Sequence, residues 1–534
     1  MKRIYLYLSA VMACSALVFT GCVDLDTYPE GSTVTQEQKE EVYQLDPTKA
    51  IAGVNAIFAQ FTVYEPNYTA LGNVGRHNDF GYPSIMLFTD ANGYDVVSED
   101  NGYNWMGNDL DYSDRDFTSR ECQIVWNDLY KQIFTSNNVI VGIDPETDEP
   151  LSQFFLAQGL AVRAFSYLIL AQLYQFNYVG HETDPCVPII TDKNANEVAL
   201  NGAPRSSVQE VYTLINTDLS NAIDLLTSAE KEGVKRADKR YVSLAVAYGI
   251  RARMNLAMQK WSDAASDATK AIEASEARPA SIAAVSAPAF WTTDEVNWMW
   301  GVIVAETDDI VDSGIVNWIS HMGSLNYGYA NYSKGKQINK ALFESIPASD
   351  VRKGWWLNEK KTSPNLSDEQ QAFMADNQYE VYTQVKFAPY KNVVGNSTNA
   401  NDIPLMRIEE MYLIKAEAED KSGGNGKQTL EDFVKQYRDP SYVCTASNIQ
   451  DEVYRQRRIE LWGEGLTWYD LMRLNKPMDR RGGGFPNASM IFNVPAGSPI
   501  LLWRLPEKEI QANPGLSDGD NNPVAPLPDP VPDL

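Results

Sequence analysis

Apolar residues recur at helical spacing in several segments, and this pattern constrains the fold more than any other feature. Between residues 160 and 171 they fall at positions i, i+4, i+7, i+8 and i+11: Leu160, Ala164, Tyr167, Leu168 and Ala171. Residues 215–226 repeat that spacing, after serines typical of a helix N-cap. The same pattern predicts further helices at about 124–142, 240–258, 261–275, 407–420 and 449–474. A chain with so many one-sided helices is predicted to be mainly α.

One helix pair has the spacing of a repeat unit. In YGIRARMNLAMQKWSDAASDATKAIEA, Ala252, Ala264 and Ala271 stand twelve and seven residues apart. Small residues at such intervals let two antiparallel helices approach closely, as in tetratricopeptide repeats. The other pairs fit less well, because long loops separate the partners. The sequence therefore predicts an irregular tetratricopeptide-like helical-repeat scaffold with loop-rich insertions.

The insertions are residues 62–120 and 280–400. They lack a steady helical period and are rich in Gly, Asn, Asp, Tyr and Trp. Loops of this length inside a compact domain are usually functional or disordered, and the aromatic content argues against disorder. We therefore expect function to lie in these two regions. The last stretch, NNPVAPLPDPVPDL, is predicted to be extended, because proline is excluded from helix interiors and central strands.

The N-terminus has the pattern of an export signal. Lys2 and Arg3 precede an uncharged, mostly apolar run over residues 4–19. This run is shorter than the ~20 residues of a membrane-spanning helix, and it ends in LVFTGC, which resembles a bacterial lipobox. We predict a signal peptide over residues 1–21, a lipidated tether over 22–38 with the lipid on Cys22, and one domain over 39–534. Ordinary cleavage that leaves a free thiol is the alternative.

Composition excludes several classes of function. The 534 residues include 45 basic and 71 acidic side chains, for a net charge of −26, which argues against binding to nucleic acid. Three cysteines remain after Cys22, an odd number that does not suggest a disulfide framework. The three histidines are scattered, so no metal site and no cofactor are predicted. DGDNNP lacks the glycine of a calcium loop, although a looser calcium site stays open.

A pair of carboxylates stands in RRIELWGEGLTWYDLMRLNKP, residues 457–477. Paired carboxylates can serve glycoside hydrolysis, but Glu460 and Glu464 would share one face of a helix and leave no room for a sugar. We interpret them as an ion-paired helix end that locks two helices. The chain contains no nucleophile-elbow or zinc-protease motif, and SGGNGKQT departs from a phosphate loop. The sequence therefore predicts no catalytic residues.

The same segment resembles the C-terminal signature of the SusD/RagB family of Bacteroidetes outer-membrane lipoproteins. PLMRIEEMYLIKAEAE, WRLPEKEIQANPGL, VWNDLYKQIFTSNNVI and RSSVQEVYTLINTDLSNAIDLL resemble other family segments, in the family's order. The resemblance implies a helical fold on four tetratricopeptide-like pairs and a place on the outer face of the outer membrane. It also implies nutrient binding, usually of a glycan, a SusC-like TonB-dependent transporter as partner, and no enzymatic activity.

We therefore expect a surface lipoprotein that binds a glycan and hands it to such a transporter. There are two alternatives. One is RagB-like peptide uptake, and the other is a secreted polysaccharide hydrolase. Sugar rings have apolar faces and polar edges, which suit aromatic side chains with Asp and Asn beside them on loops. The predicted stacking residues are Tyr94, Tyr103 and Trp105, with Asp79 and Asn104 as edge partners. Trp318, Tyr327 and Tyr329 are the second-rank predictions.

Overall fold

The computed structural model describes residues 36–65, 69, 71–73, 77–99, 106–314 and 316–534, and the structural statements below concern these residues. The predicted site residues Cys22, Tyr103, Asn104 and Trp105 lie outside them. The α-helices are α1 (Gln36–Leu45), α2 (Ile51–Ala59), α3 (Tyr82–Asn92), α4 (Gly107–Asp111), α5 (Arg120–Ile140), α6 (Pro150–Tyr174), α7 (Ala195–Asn201), α8 (Val208–Lys231), α9 (Leu244–Ala257), α10 (Trp261–Ala274), α11 (Ile282–Val285), α12 (Asp309–Asp312), α13 (Trp318–Met322), α14 (Tyr329–Tyr332), α15 (Lys340–Glu344), α16 (Asp368–Asp376), α17 (Ile408–Lys421), α18 (Gly426–Tyr437), α19 (Ile449–Glu460), α20 (Thr467–Arg473) and α21 (Glu507–Ala512).

Six short strands form three two-stranded antiparallel sheets. They are β1 (Val96–Val97), β2 (Trp298–Val302), β3 (Gln337–Ile338), β4 (Ile403–Arg407), β5 (Met478–Asp479) and β6 (Asn493–Val494). The sheets pair β1 with β3, β2 with β4, and β5 with β6. Short 3₁₀ turns lie at Pro47–Ala50, Gln60–Thr62, Ser113–Arg115, Val351–Trp355, Tyr390–Asn392, Ala488–Met490, Pro499–Leu501 and Asp518–Asp520. The mainly α fold class is thereby confirmed.

The long helices form a scaffold of packed pairs, most of which lie close together along the chain. α5 packs on α6, α6 on α8, α9 on α10, and α10 on α17. The predicted serine cap of α8 is present: the Ser207 side chain accepts from the Glu210 N–H, and the Glu210 carboxylate accepts from the Ser207 N–H. Helix α6 is long and apolar enough to cross a membrane, but the residues of its most apolar window are all buried inside the protein. It is the central core helix of the described part of the chain.

The predicted repeat pair corresponds to α9 and α10. Three residues join the two helices, so they run antiparallel. Ala252, Ala264 and Ala271 are all fully buried, as close helix packing requires. The spacing of small residues therefore predicted this contact correctly.

The first insertion contains a helix where the sequence predicted loop. All eleven residues of α3 are buried, so its apolar residues lie on every side and leave no amphipathic period for the sequence to show. Pro83 stands in its first turn, where proline is tolerated. The second insertion likewise contains several short helices. At the N-terminus, α1 begins at Gln36, inside the segment predicted as tether.

The predicted helix over 449–474 is two helices with a turn between them. α19 ends at Glu460, and Gly463 and Gly465 have φ of +74° and +69°, a conformation that glycine adopts without strain. A Cβ on Gly465 would lie 2.6 Å from the backbone of Met86 in α3. The break therefore exists so that the turn can pack against the buried helix α3.

Candidate functional site

The two insertions meet. Val96 and Val97 of β1 pair with Ile338 and Gln337 of β3, and Lys336 Nζ donates to Ser98 Oγ at 3.0 Å. We call the surface formed by residues 77–98 and 321–338 the junction. It combines the two regions in which the sequence placed function, although more than 200 residues separate them along the chain.

A column of aromatic rings connects the two sides of the junction. The His321 ring stacks on the Tyr329 ring with centroids 4.7 Å apart and 24° between their planes, and Phe80 lies 5.7 Å from His321. The Tyr329 hydroxyl is hydrogen-bonded to His77 Nδ1. His321 Nε2 donates to the His77 carbonyl at 3.1 Å. Tyr329 is only 5 % exposed, so it supports the surface rather than forming it.

Two tyrosines form the exposed surface beside this column. Tyr327 is 45 % exposed and Tyr332 is 44 % exposed, and their hydroxyl oxygens lie 3.1 Å apart. The backbone between them approaches α13 closely, because a Cβ on Gly328 would lie 2.5 Å from the Ser320 carbonyl oxygen. Glycine at this position thus fixes the path that projects both rings outward. Two fixed aromatic rings with polar tips at a surface can stack on an apolar ring face and bond its edges.

A cavity of about 460 Å³ lies next to the junction. Phe58, Phe61 and Trp300 contribute aromatic side chains to its lining, and Tyr64, Arg240 and Asp309 add polar groups. Burial, with the carboxylate of Glu65, raises the pKa of Tyr64 to about 12, and Tyr329 and Asp79 act on it in the same direction. Tyr64 therefore lies within electrostatic reach of the junction while lining the cavity. Its volume is in the range of small-ligand pockets, roughly 300–1,000 Å³.

Asp79 belongs to the junction segments but is buried beneath their surface. It is 1 % exposed, and its Oδ1 atom has no hydrogen-bond partner among the described residues. Burial, with the nearby Glu65 carboxylate, raises the pKa of Asp79 to about 8. Burial, with Asp79 itself, also raises the pKa of Asp128. Asp79 is thus next to the predicted site but below its surface, and its role as an edge partner stays a prediction.

Tyr94 and Trp318 are placed where their rings cannot stack on a ligand. Tyr94 is half-buried, its hydroxyl is 3.0 Å from the Tyr454 hydroxyl, and the Arg458 guanidinium covers its ring at 4.3 Å from the centroid. Trp318 is fully buried and packs edge-to-face on Phe387 at 4.9 Å. Both rings are occupied by the protein itself. Among the predicted stacking residues that the structure describes, only Tyr327 presents an open ring surface.

The carboxylate pair of the C-terminal signature belongs to a buried charge cluster. Glu460 accepts from Arg407 Nη1 at 3.0 Å, from Arg438 Nε at 2.8 Å and from Arg352 Nη1 at 3.1 Å. Glu464 accepts from Arg407 Nε at 2.8 Å and from Lys386 Nζ at 2.6 Å. We call these six residues the charge cluster. Burial opposes ionisation of Glu460, but the three arginines hold its pKa well below the usual range.

This arrangement agrees with the structural interpretation of the signature. The side chains of the cluster are at most 3 % exposed, and every carboxylate oxygen of the pair is paired with a cation. The carboxylates do not share one helix face as predicted, since Glu464 lies in the turn beyond α19. They converge because both reach Arg407 at the end of β4.

Within the described ranges, no group of three or more His, Cys, Asp and Glu side chains is arranged to hold a metal ion. Cys122, Cys186 and Cys444 are buried free thiols. In the DGDNNP stretch, Asn522 donates to the Tyr174 and Trp503 carbonyls at 2.8 and 2.7 Å. Its side chain therefore anchors the backbone instead of facing a calcium ion.

Sequence reasoning missed His77, His321 and Tyr64 as parts of the site. His77 and His321 were treated as scattered, because 244 residues separate them. No local spacing joins these residues, and only the folded chain brings them together. Tyr332 is one of the tyrosines in which the second insertion is rich, but its pairing with Tyr327 has no sequence signature.

Two family models match the chain. One, described as the SusD family, matches residues 318–523, and the other, described as starch-binding associating with outer membrane, matches residues 82–256. The first spans the charge cluster and the second half of the junction, and together they cover more than half of the chain. The chain belongs to the SusD family. The match to the second SusD-like model covers α3 and the helices α5, α6 and α8 of the scaffold.

Relatives of known structure share this SusD fold. A SusD-like carbohydrate binding protein from Bacteroides vulgatus is 23 % identical, with a TM-score of 0.72 over 90 % of this chain and 98 % of that one. A laminarin binding SusD-like protein is 18 % identical, with a TM-score of 0.59 over 88 % and 98 %. A relative found by sequence, SusD-like protein P38 of Formosa agariphila, is 22 % identical over 67 % of this chain and 73 % of its own length.

Proposed function

We propose that this SusD-family protein is a cell-surface lipoprotein that binds a glycan at the junction and passes it to a SusC-like TonB-dependent transporter. The observation that carries the proposal is the exposed pair Tyr327 and Tyr332, held over a buried aromatic column. The family description as starch-binding and the carbohydrate and laminarin binding of two similar structures support a sugar as the ligand.

The chemistry of the site fits a carbohydrate. A pyranose ring presents apolar C–H faces that stack on aromatic rings and hydroxyl edges that need hydrogen-bond partners. Tyr327 and Tyr332 offer faces and hydroxyls together, and the adjoining cavity mixes aromatic walls with Arg240 and Asp309.

Binding without cleavage is the second part of the proposal. Glycosidases place two carboxyl groups on either side of the scissile bond. In this chain Glu460 and Glu464 are buried and fully paired with Arg352, Lys386, Arg407 and Arg438, so neither can reach a substrate.

Titration calorimetry of the mature protein tests the ligand class. Laminarin oligosaccharides, maltooligosaccharides and a peptide digest should be titrated separately under identical conditions. We expect saturable binding to at least one of the two glycans and none to the digest. Binding to the peptides alone would replace the glycan proposal by RagB-like peptide uptake, and release of reducing ends during the titration would contradict the non-enzymatic part.

The lipid anchor has its own test. Cys22 is the last residue of the lipobox-like sequence LVFTGC, and two or three acyl chains hold a protein stably on a membrane. We expect Cys22→Ala to move the protein from the outer-membrane fraction to the soluble fraction. Retention of the variant in the membrane after a high-salt wash would contradict lipidation at this residue.

The transporter partner is tested by purification from native membranes. In mild detergent the tagged protein should bring down one TonB-dependent barrel in a stable ratio. Repeated recovery of the lipoprotein alone, from membranes in which such barrels are present, would count against the partnership. The anchor test and the ligand titrations do not depend on this result.

A further inference from the structure

The proline-rich end of the chain has a backbone that its covalent structure largely determines. Prolines stand at positions 523, 526, 528, 530 and 532, and each fixes its own φ near −65°. The residue before a proline is pushed toward extended or polyproline II geometry. Every residue from 522 to 532 except Val524 is a proline or directly precedes one. The stretch is therefore stiff and extended before it makes any contact.

The structure shows how this stretch lies on the body. Residues 522–534 form no helix or strand, and burial recurs every third residue: Asn522 is buried, and Ala525, Pro528 and Val531 are partly buried. The two residues between each pair of these are exposed. A period of three matches the three residues per turn of a polyproline II helix, docked along one of its three edges.

Hydrogen bonds hold both ends of the docked edge. Asn522 donates to two main-chain carbonyls and accepts from Arg205 Nη2 at 2.9 Å. Nine residues later, the Val531 N–H donates to the Ile491 carbonyl at 2.9 Å. The tail is thus fixed to the body and presents its remaining edges outward.

One outward edge is apolar. Val524 is 78 % exposed and Leu527 is 51 % exposed, and Pro530 continues the same edge one turn further on. The other outward edge carries Asp529, which makes no hydrogen bond or ion pair with any described residue. An exposed apolar row on an ordered, extended backbone differs from the scattered single apolar residues of an ordinary surface.

We propose that residues 523–532 are a preformed polyproline II ligand, displayed for a partner protein with an aromatic-lined groove and a basic side chain opposite Asp529. Aromatic grooves recognise polyproline II segments because the ligand loses little conformational freedom on binding. The basic group follows from Asp529 and from the net charge of −26 on this chain, which disfavours an acidic partner. The proposal does not depend on which ligand the junction binds.

Photo-crosslinking in native outer membranes tests the proposal. The full-length protein should carry p-benzoylphenylalanine in place of Leu527 or, as a control, in place of Leu200, which is 80 % exposed on α7. We expect one protein adduct from position 527, with the label attached to a peptide rich in aromatic and basic residues, and none of that adduct from position 200.

Variants of the crosslinking chain separate the two outward edges from general effects. Val524→Ser and Asp529→Lys should each lower the yield of the adduct by roughly tenfold or more, since each removes a contact of about that worth. Val443→Ser, which removes another exposed valine elsewhere (60 % exposed, against 78 % for Val524), should leave the yield unchanged. All three positions are exposed, so an unchanged melting temperature should confirm that each variant folds.

Several results would overturn the proposal. The first is an adduct from position 527 no stronger than that from position 200. The second is attachment to a partner segment without aromatic residues. A third is an equal yield from Asp529→Lys and the parent chain, which would remove the basic groove. Any of these would leave the tail as a brace on the body and no more.

Discussion

The charge cluster and the junction both join distant parts of the chain, but they satisfy their polar groups in opposite ways. In the cluster, the buried carboxylates of Glu460 and Glu464 are paired with cations of the same molecule. At the junction, Tyr327 and Tyr332 turn their hydroxyls and ring edges to solvent. A polar group paired internally has nothing left to offer a ligand, whereas an exposed aromatic pair on a fixed backbone has both shape and bonding capacity.

The difference also shows why the more recognisable sequence feature is not the binding site. The Glu-Gly-x-x-Trp-x-Asp-Leu stretch is recognisable because charges and glycines at fixed spacing lock β4, α19 and the turn after it onto α3. The junction carries no comparable motif, since its tyrosines need only a position and an open face. Sequence features that determine the fold and the residues that we propose as ligand contacts are therefore separate in this molecule.

The largest effect is expected in the charge cluster. Glu460→Gln leaves Arg352, Arg407 and Arg438 without the carboxylate that they share. Removing one partner of a buried ion pair costs about 3–5 kcal/mol of unfolding free energy, which urea denaturation should show. If the protein binds a glycan at the junction, the folded fraction of the variant should still do so.

A surface pair provides the matched control for that experiment. Glu306 and Lys391 form an exposed ion pair at 2.7 Å, so Glu306→Gln should lower the unfolding free energy far less than Glu460→Gln does, because solvent screens the surface pair. Equal losses from Glu306→Gln and Glu460→Gln would mean that the buried cluster contributes no more than a surface pair, and the comparison between the two regions would fail.

The sequence predicted the fold where periodicity or small-residue spacing was present. α6, α8, α9 and α10 were recognised in this way, and the serine cap of α8 followed from capping chemistry, to which the structure adds Glu210. It failed at α3, because a helix buried on every side has no amphipathic period. It also failed at the end of α19, where Gly463 and Gly465 turn the chain for a tertiary contact that no local pattern encodes.

At the junction, the largest expected effect is on ligand binding, with little change in stability. Tyr327→Ala combined with Tyr332→Ala removes both exposed rings while the buried column of His77, His321 and Tyr329 stays in place. Each stacking ring contributes roughly 1–3 kcal/mol, by analogy with base stacking, so affinity for the bound glycan should fall at least about tenfold to hundredfold in calorimetry. The unfolding free energy should stay within about 1 kcal/mol of wild type.

Phe134→Ala is the control for the tyrosine pair. Phe134 is 54 % exposed on α5 and belongs to neither segment of the junction, so its loss should change neither affinity nor fold. Unchanged glycan affinity in the double tyrosine variant, with intact fold, would move the site away from Tyr327 and Tyr332 and back toward the adjoining cavity.

The candidate site could be predicted only as a region. Composition indicated both insertions, and of the named residues in the described part Tyr327 lies on the open surface. Tyr94 and Trp318 were named for their ring chemistry, yet burial against Arg458 and Phe387 depends on the packing of distant segments. The contact between His77 and Tyr329 fixes the surface, and no local sequence pattern predicts it.

A smaller effect is expected for Asp79, the buried carboxyl of the junction. It distinguishes this group from the paired carboxylates of the cluster. The pKa of Asp79 is raised to about 8 from an ordinary value of 3.8, so the folded state holds a proton that the unfolded chain has released. Stability from this group is full below pH 3.8 and is lost as the pH rises toward 8. Asp79→Asn keeps the shape without the charge, and above pH 8 it should be more stable than wild type by more than about 1.4 kcal/mol, the free energy of one pKa unit.

The control for Asp79 is an exposed aspartate. Asp529→Asn changes the net charge equally and should show no such gain in urea unfolding across the same pH range. If Asp79→Asn were less stable than wild type at high pH, the Asp79 carboxylate would have a compensating cation, and the contrast with the charge cluster would disappear. A loss of glycan affinity in Asp79→Asn at neutral pH would support its predicted role as an edge partner.

The smallest effect concerns the column beneath the tyrosines. Burial lowers the pKa of His77 below 6.5, although the Glu65 carboxylate opposes the shift. The unfolded chain therefore binds more protons than the folded one between the two pKa values, so stability is lost as the pH falls through 6.5. His77→Gln should flatten this part of the urea-unfolding profile. His181→Gln, which lies outside the junction and is paired with Asp184 at 2.6 Å, should leave the contribution of His77 in place. An unaltered profile in His77→Gln would show that the link between the two insertions does not depend on this proton, and that β1 and β3 hold the junction without it.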